Sequence, residues 1–184
     1  RPAYDMVSQA VSGGMSLTGE PEGSSVRAGI PLADLSAGMY AATAICAALE
    51  SRRETGRGRY IDISMLDCQI AMLTYQAAYY LASGTVPGRQ GKGHESIPSY
   101  RSFTARDGRD VVVCANTDRM WKSLCEAAGL HDMGAEPGLE TRRGRYQHRE
   151  RIIAAFDKAF LAKDANDWVA ALMAAGVPVG TVNT

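Results

Sequence analysis

Gly29-Ile30-Pro31-Leu32-Ala33-Asp34-Leu35-Ser36-Ala37-Gly38-Met39 decides how this chain is read, because it sets one acidic side chain where a loop bearing glycine and proline becomes a long apolar helix. An Asp at such a junction either caps the helix or presents a carboxylate beside its positive end. Leu35, Met39, Ala42, Ile45, Cys46 and Leu49 recur at spacings of three and four, which predicts one buried helix face. Arg52 and Arg53 fall in the last turn and Gly56 is a natural stop. A helix of about 15 to 20 residues is expected.

Upstream of this stretch, Tyr4, Val7 and Val11 share one face of a shorter helix that Ser12-Gly13-Gly14 ends. Glycine turns and the loop Pro21-Glu22-Gly23-Ser24-Ser25 connect the two. Downstream, residues 60–65 alternate as a short strand, and Ser64-Met65-Leu66-Asp67 has the form of a capping box. A helix over 66–81 follows, with Leu66, Ile70, Leu73, Ala77 and Leu81 in register and Tyr75, Tyr79 and Tyr80 as packing residues. From 84 to 98 the composition shifts to Gly, Pro, Arg and Lys. The domains are therefore expected at 1–83 and 99–184, with 84–98 as a linker that includes a glycine-containing loop.

The second half reads as a small α+β unit. Strands over 100–103 and 110–115 are joined across Asp107-Gly108, a hairpin signal. Thr117 caps a helix with Met120, Trp121, Leu124 and Cys125, which Gly129 ends. A basic helix over 145–163 buries Ile152, Ile153, Phe156 and Phe160, and Asp164 caps a last helix bearing Trp168, Leu172 and Met173. Val177-Pro178-Val179 returns as an edge strand, since Pro cannot donate to a ladder.

Composition bounds the chemistry only loosely. The 184 residues are 46% apolar, enough for a real core. Twenty basic and twenty acidic residues cancel, so nothing in the charge calls for nucleic acid or an anionic membrane. The apolar runs fall short of the roughly 18 residues that span a bilayer, and no signal peptide is evident. Cys46, Cys68, Cys114 and Cys125 lack metal or disulfide spacing and read as buried thiols in a reducing cytoplasm. His131 and His148 show no ligand spacing, so no metal is expected. The run Arg52, Arg53, Arg57, Arg59 is read as a helix end and solvated turn, because no aromatics interleave with it.

The order Asp34, Leu49-Glu50-Ser51-Arg52-Arg53-Glu54-Thr55-Gly56-Arg57-Gly58, Tyr60-Ile61-Asp62-Ile63-Ser64-Met65-Leu66-Asp67, with Tyr4 to Gly14 before it and Gly176-Val177-Pro178-Val179-Gly180 at the far end, resembles the family III CoA-transferases. That family includes formyl-CoA:oxalate and carnitine CoA-transferases. The resemblance implies an α/β fold: the mainly helical part of a large Rossmann-like domain, followed by the small α+β domain. It also implies an interlocked homodimer, with a nucleotide-binding half before Arg1 and a tail after Thr184. The chain begins with Arg1 and not Met, and is expected to be a fragment.

The activity implied is transfer of CoA from an acyl-CoA donor to a small carboxylic acid, with coenzyme A as part of the substrate. The resemblance makes Asp34 the catalytic nucleophile; an Asp is ionised at neutral pH and needs no general base. Tyr4 and Asp5 align with a Tyr-acidic pair lining the family's active site, with Asp in place of Glu, and Gln9 lies one turn on. Gly88-Arg89-Gln90-Gly91-Lys92-Gly93-His94 stands where the family has a glycine-rich segment over the intermediate, making Gly91, Gly93 and His94 substrate-binding candidates. The other reading of that segment is a solvated linker. Two rivals stand beside transfer: an α-methylacyl-CoA racemase using an acid/base pair, and a non-catalytic dimerising fragment.

Overall fold

The computed structural model describes residues 3–183. The chain divides into two compact units, one ending at Gly91 and the other beginning at Lys92.

The first unit is helical: α1 (Asp5–Val11), α2 (Gly14–Leu17), α3 (Leu32–Thr55), α4 (Met65–Ala71) and α5 (Tyr75–Ser83). Helix α3 runs 24 residues, longer than expected, and ends at Gly56, whose φ of 70° lets its N–H close on the Arg52 carbonyl. It packs on α1 and α4. The side that is buried carries Ala33 and Ser36. Small side chains there let backbones approach closely, and the predicted face turns the other way. Leu35, Met39, Ile45 and Leu49 are about half exposed or more, and Cys46 is exposed. The expectation of a buried apolar row on α3, and of a buried thiol at Cys46, is thus corrected for this unit.

Helix α3 is also long and apolar enough to cross a membrane by length and composition alone. This corrects the reading that no run reaches that length. Only Asp34 interrupts the first 18 residues with a charge, because Ala, Gly, Ser and Thr dilute the row of large apolar residues without making it polar. Core helices of soluble proteins meet the same criterion.

Two further expectations give way. Residues 57–64 have no ladder, because the alternating 60–65 stretch finds no neighbouring strand among the described residues; Tyr60 stands in solvent. The helix expected over 66–81 is broken at Met72–Thr74, where Thr74 takes φ 47°, ψ −117° and restarts the chain as α5. The Ser64 cap forms, its Oγ accepting the Asp67 N–H at 3.2 Å. Tyr75 and Tyr79 meet edge to face with centroids 5.7 Å apart.

The second unit contains β1 (Gly93–His94), β2 (Ile97–Thr104), β3 (Asp110–Cys114), α6 (Asp118–Ala127), α7 (His131–Ala135), α8 (Arg142–Gln147), α9 (Arg149–Phe160), α10 (Ala165–Ala174) and β4 (Val179–Thr181). Its sheet is antiparallel in the order β1-β2-β3-β4, with Phe103 opposite Val111 and Val113 opposite Val179. β3 alternates as the pleat requires, burying Val111 and Val113. Phe103, Val111 and Val113 share a core with Trp121 and Leu124 of α6, Ile152, Phe156 and Phe160 of α9, and Trp168 and Leu172 of α10.

Local signals hold well in this unit. Thr117 Oγ1 accepts the Met120 N–H at 3.2 Å, and Gly129 takes φ 70° after α6. The basic helix is shorter than expected: Thr141 starts a separate turn, α8, and α9 begins at Arg149. Asp164 sits at the N-cap of α10 but its carboxylate takes the Arg106 guanidinium at 2.8 Å. That hydrogen bond holds the Asp164 carboxyl below its usual range. The N–H of Ala165 goes instead to Asp107 of the hairpin turn, at 3.3 Å. Burial pushes the Cys125 thiol up to about 12, which leaves it unreactive.

Gly144 lies where α8 crosses the Gly138 backbone, and a Cβ there would overlap the Gly138 carbonyl oxygen. Neither backbone can yield without moving α8. Gly144→Ala is expected to cost about 1–3 kcal/mol, read as a lower midpoint in chemical denaturation. An unchanged midpoint would show that α8 shifts freely.

Candidate active site

The start of α3 is held from outside its own sequence. Its N-cap is Pro31, which has no side-chain acceptor to offer the first turn. The Leu32 N–H turns back to the Ile30 carbonyl at 2.9 Å. The Ala33 N–H is accepted by Oδ1 of Asp5, on α1, at 2.9 Å. Asp5 therefore performs the capping that the local sequence offers to Asp34.

Asp34 is the third residue of α3, and its side chain is exposed. Among the described residues neither its carboxylate nor its amide N–H has a hydrogen-bond partner. The carboxylate stands in the first turn, where the dipole and the unpaired amide favour negative charge. An ionised, uncommitted carboxylate in that position can act as a nucleophile. Of the two roles first open to Asp34, capping is excluded by geometry.

Gln9 completes the arrangement one turn along α1. It is 2% exposed, and each of its polar atoms is used. Nε2 donates to Oδ2 of Asp5 at 2.8 Å and to the Ile30 carbonyl at 3.3 Å, while Oε1 accepts the Ala28 N–H at 2.9 Å. The i, i+4 spacing of Asp5 and Gln9 is a signal the sequence carries, but their targets lie about twenty to thirty residues away along the chain. Tyr4, by contrast, is 86% exposed, and its backbone carbonyl starts α1 by accepting from Val7 and Ser8.

The glycine-containing segment spans the two units. Gly91 closes the first, at φ 56°, with its N–H on the Gly19 carbonyl at 3.0 Å. Arg89 straps the segment to the 20–21 turn, donating from Nε to the Glu20 carbonyl at 3.0 Å and from Nη2 to the Pro21 carbonyl at 3.1 Å. Arg89 was not singled out by sequence, since nothing local marks its acceptors. Gly93 and His94 form β1 of the second unit. There the His94 ring stacks on Tyr100, centroids 5.4 Å apart, and its Nδ1 accepts the Ser96 N–H at 3.2 Å. The residues that the first unit gathers at the start of α3 are thus Asp5, Gln9 and Asp34.

Two of the cavities in the first unit lie apart from Asp34. One of about 290 Å³ is lined by Leu17, Leu73, Gln76, Tyr80 and Pro87, and one of about 520 Å³ by Val7, Val11, Asp62 and Met65 among others. Among the described residues no group of three or more His, Cys, Asp or Glu side chains is placed to hold a metal ion.

The sequence pattern described as CoA-transferase family III matches this chain over residues 1–184. The chain belongs to that family. This family III chain is 35% identical to the acetyl-CoA:oxalate CoA-transferase of Acetobacter aceti, over 97% of its own length and 46% of that protein's. It is 34% identical to the human succinyl-CoA:glutarate CoA-transferase, over its whole length and 42% of that protein's. A crystal structure of a CAIB/BAIF family protein from Brucella suis superimposes with a TM-score of 0.83 at 33% identity, covering all of this chain and 48% of that one. The family III chain spans less than half the length of these relatives, and the helical unit followed by a small antiparallel sheet is the corresponding part of their fold.

Proposed function

We propose that the protein moves CoA from an acyl-CoA to a free carboxylic acid, with Asp34 as the covalent nucleophile. The observation that carries this reading is the uncommitted Asp34 carboxylate at the start of α3, in a chain of this family. In the reaction, an Asp34 oxygen attacks the donor thioester carbonyl, and the C–S bond breaks to leave an aspartyl acyl anhydride and CoA thiolate. The thiolate attacks the aspartyl carbonyl, forming an aspartyl-CoA thioester and releasing the donor acid as its carboxylate. The acceptor carboxylate attacks that thioester to give a second anhydride and free thiolate. The thiolate then attacks the acceptor's acyl carbon, releasing the new acyl-CoA and restoring Asp34. No step needs a proton or an oxidant.

Each tetrahedral adduct carries an oxyanion, and the unpaired Asp34 amide at the positive end of α3 is a suitable donor. A carboxylate is suited to the role because its anhydride and thioester lie near the substrates in energy, so neither becomes a trap. A dicarboxylic acid is our choice of acceptor, supported by relatives named for oxalate and glutarate. The reading also takes the protein as a cytoplasmic, interlocked homodimer. Four free cysteines and the exposed apolar row on α3 support it.

The test is to incubate the full-length protein with acetyl-CoA or succinyl-CoA, quench with hydroxylamine or borohydride, and map peptides by mass spectrometry. Modification at Asp34 is expected. An unmodified Asp34 under turnover, with deuterium entering next to the thioester carbonyl, would point instead to acid/base racemisation.

A further inference from the structure

Helix α3 presents Asp34 from its first turn, so the direction of that turn sets where the carboxylate points. Nothing within the turn secures it, since Pro31 has no capping group. The securing comes from α1 through one continuous chain of hydrogen bonds. The Ala33 N–H reaches Asp5 Oδ1, Asp5 Oδ2 receives Gln9 Nε2, and Gln9 Oε1 receives the Ala28 N–H. The second Gln9 N–H reaches the Ile30 carbonyl. The chain touches both sides of Pro31, the residue at which loop becomes helix.

Its polarity is fixed. Gln9 Nε2 faces two acceptors and its Oε1 faces a donor, so the amide has one permitted orientation. Asp5 faces donors from both sides, a demand that a carboxylate meets and an amide does not. Gln9 is buried, so no water is at hand to replace a lost bond. Both side chains are spent on the protein, which separates them from groups that bind substrate.

We propose that Gln9 and Asp5 are positioning residues for Asp34: a brace whose donor and acceptor order sets the first turn of α3 and so aims the nucleophile. This rests on the reading of Asp34 as nucleophile. The order of the brace makes it testable apart from general stability. Asp5→Asn sets an N–H against the Gln9 N–H. Gln9→Glu sets two carboxylates against each other. The double swap, Asp5→Asn with Gln9→Glu, restores the match. Its new amide on α1 accepts from the Ala33 N–H and donates to the new carboxylate one turn on, which still accepts from the Ala28 N–H. Only the Ile30 contact is left unmatched.

The experiment measures kcat and KM in the full-length protein with acetyl-CoA and oxalate, and with succinyl-CoA and glutarate, alongside melting temperature and adduct formation at Asp34. Each single variant is expected to lower kcat by ~10–100-fold, the scale of a small misplacement of a reacting group. KM for the acyl-CoA is expected to stay within about twofold, since the brace does not touch substrate. The swap is expected to recover at least half of the loss on a logarithmic scale. Gln9→Met, which keeps the shape without the bonds, serves if either charged variant fails to fold, and is expected to show the same loss in kcat.

Single variants with parental kcat overturn the brace while leaving an Asp34 adduct in the parent intact. Losses that track melting temperature and KM, with no recovery in the swap, overturn it as well, by showing a role in stability alone. A parent protein that turns over without an adduct at Asp34 overturns the nucleophile reading first, and the brace with it.

Discussion

Asp34→Asn in the full-length protein is expected to lower CoA transfer by on the order of 10³-fold or more, as removal of a covalent nucleophile does. The amide keeps the shape of the carboxylate but cannot attack a thioester. Folding is expected to be nearly unchanged, because the side chain is exposed and makes no bond among the described residues. Losing a favourable charge in a helix first turn costs about 0.3–1 kcal/mol. Steady-state transfer from acetyl-CoA to oxalate and from succinyl-CoA to glutarate, with a thermal melt of the same preparation, checks both halves. Full activity would remove Asp34 from the mechanism. A large fall in melting temperature would mean that Asp34 holds the fold, contrary to its geometry.

Phe160→Ala is expected to cost about 3–5 kcal/mol in the second unit, a large share of the roughly 5–15 kcal/mol that stabilises a typical domain. The Phe160 ring is fully buried between Phe103 and Trp168, with centroids at 4.6 and 4.4 Å. Its own carbonyl accepts the Trp168 indole N–H at 2.8 Å. Truncation opens a cavity among aromatic rings that cannot close over it. Both tryptophans of the chain, Trp121 and Trp168, are buried in this core, so their fluorescence reports its unfolding directly. Met173→Ala on the exposed side of α10 is the control, with a change within about 0.5 kcal/mol. Equal midpoints for the two variants would contradict this account of the core.

How much was legible differs between the two units. In the second, the signals act over a few residues, and structure follows them. Asp107-Gly108 turns β2 into β3, Thr117 starts α6, and Val177-Pro178-Val179 leads into an edge strand. Where the reading slipped, two neighbouring carboxylates competed. Asp164 looked like the cap of α10, but Arg106 claims it, and Asp107 serves Ala165 from the hairpin. Side-chain chemistry alone does not rank such rivals; their spatial neighbours do.

In the first unit the periodicity showed that a long helix follows Pro31, but not which side would be covered. A stripe of Leu, Met and Ile records that burial is available to a helix, while α1 and α4 approach it where Ala33 and Ser36 leave room. Alternation over 60–65 likewise describes a strand only if a neighbour supplies the ladder. The break at Thr74 carries no glycine or proline to announce it.

The sequence by itself determined the elements whose causes are local: the extent of α3 up to Gly56, the hairpin, the helices of the second unit and their core aromatics, and the placing of one carboxylate at a helix start. Only the tertiary structure decided that Asp34 is left uncommitted. That depends on Asp5 and Gln9 reaching across from α1 to satisfy Ala33, Ala28 and Ile30. Hydrogen bonds between groups about twenty to thirty residues apart leave no periodicity to read, because distance along the chain carries no record of proximity in space.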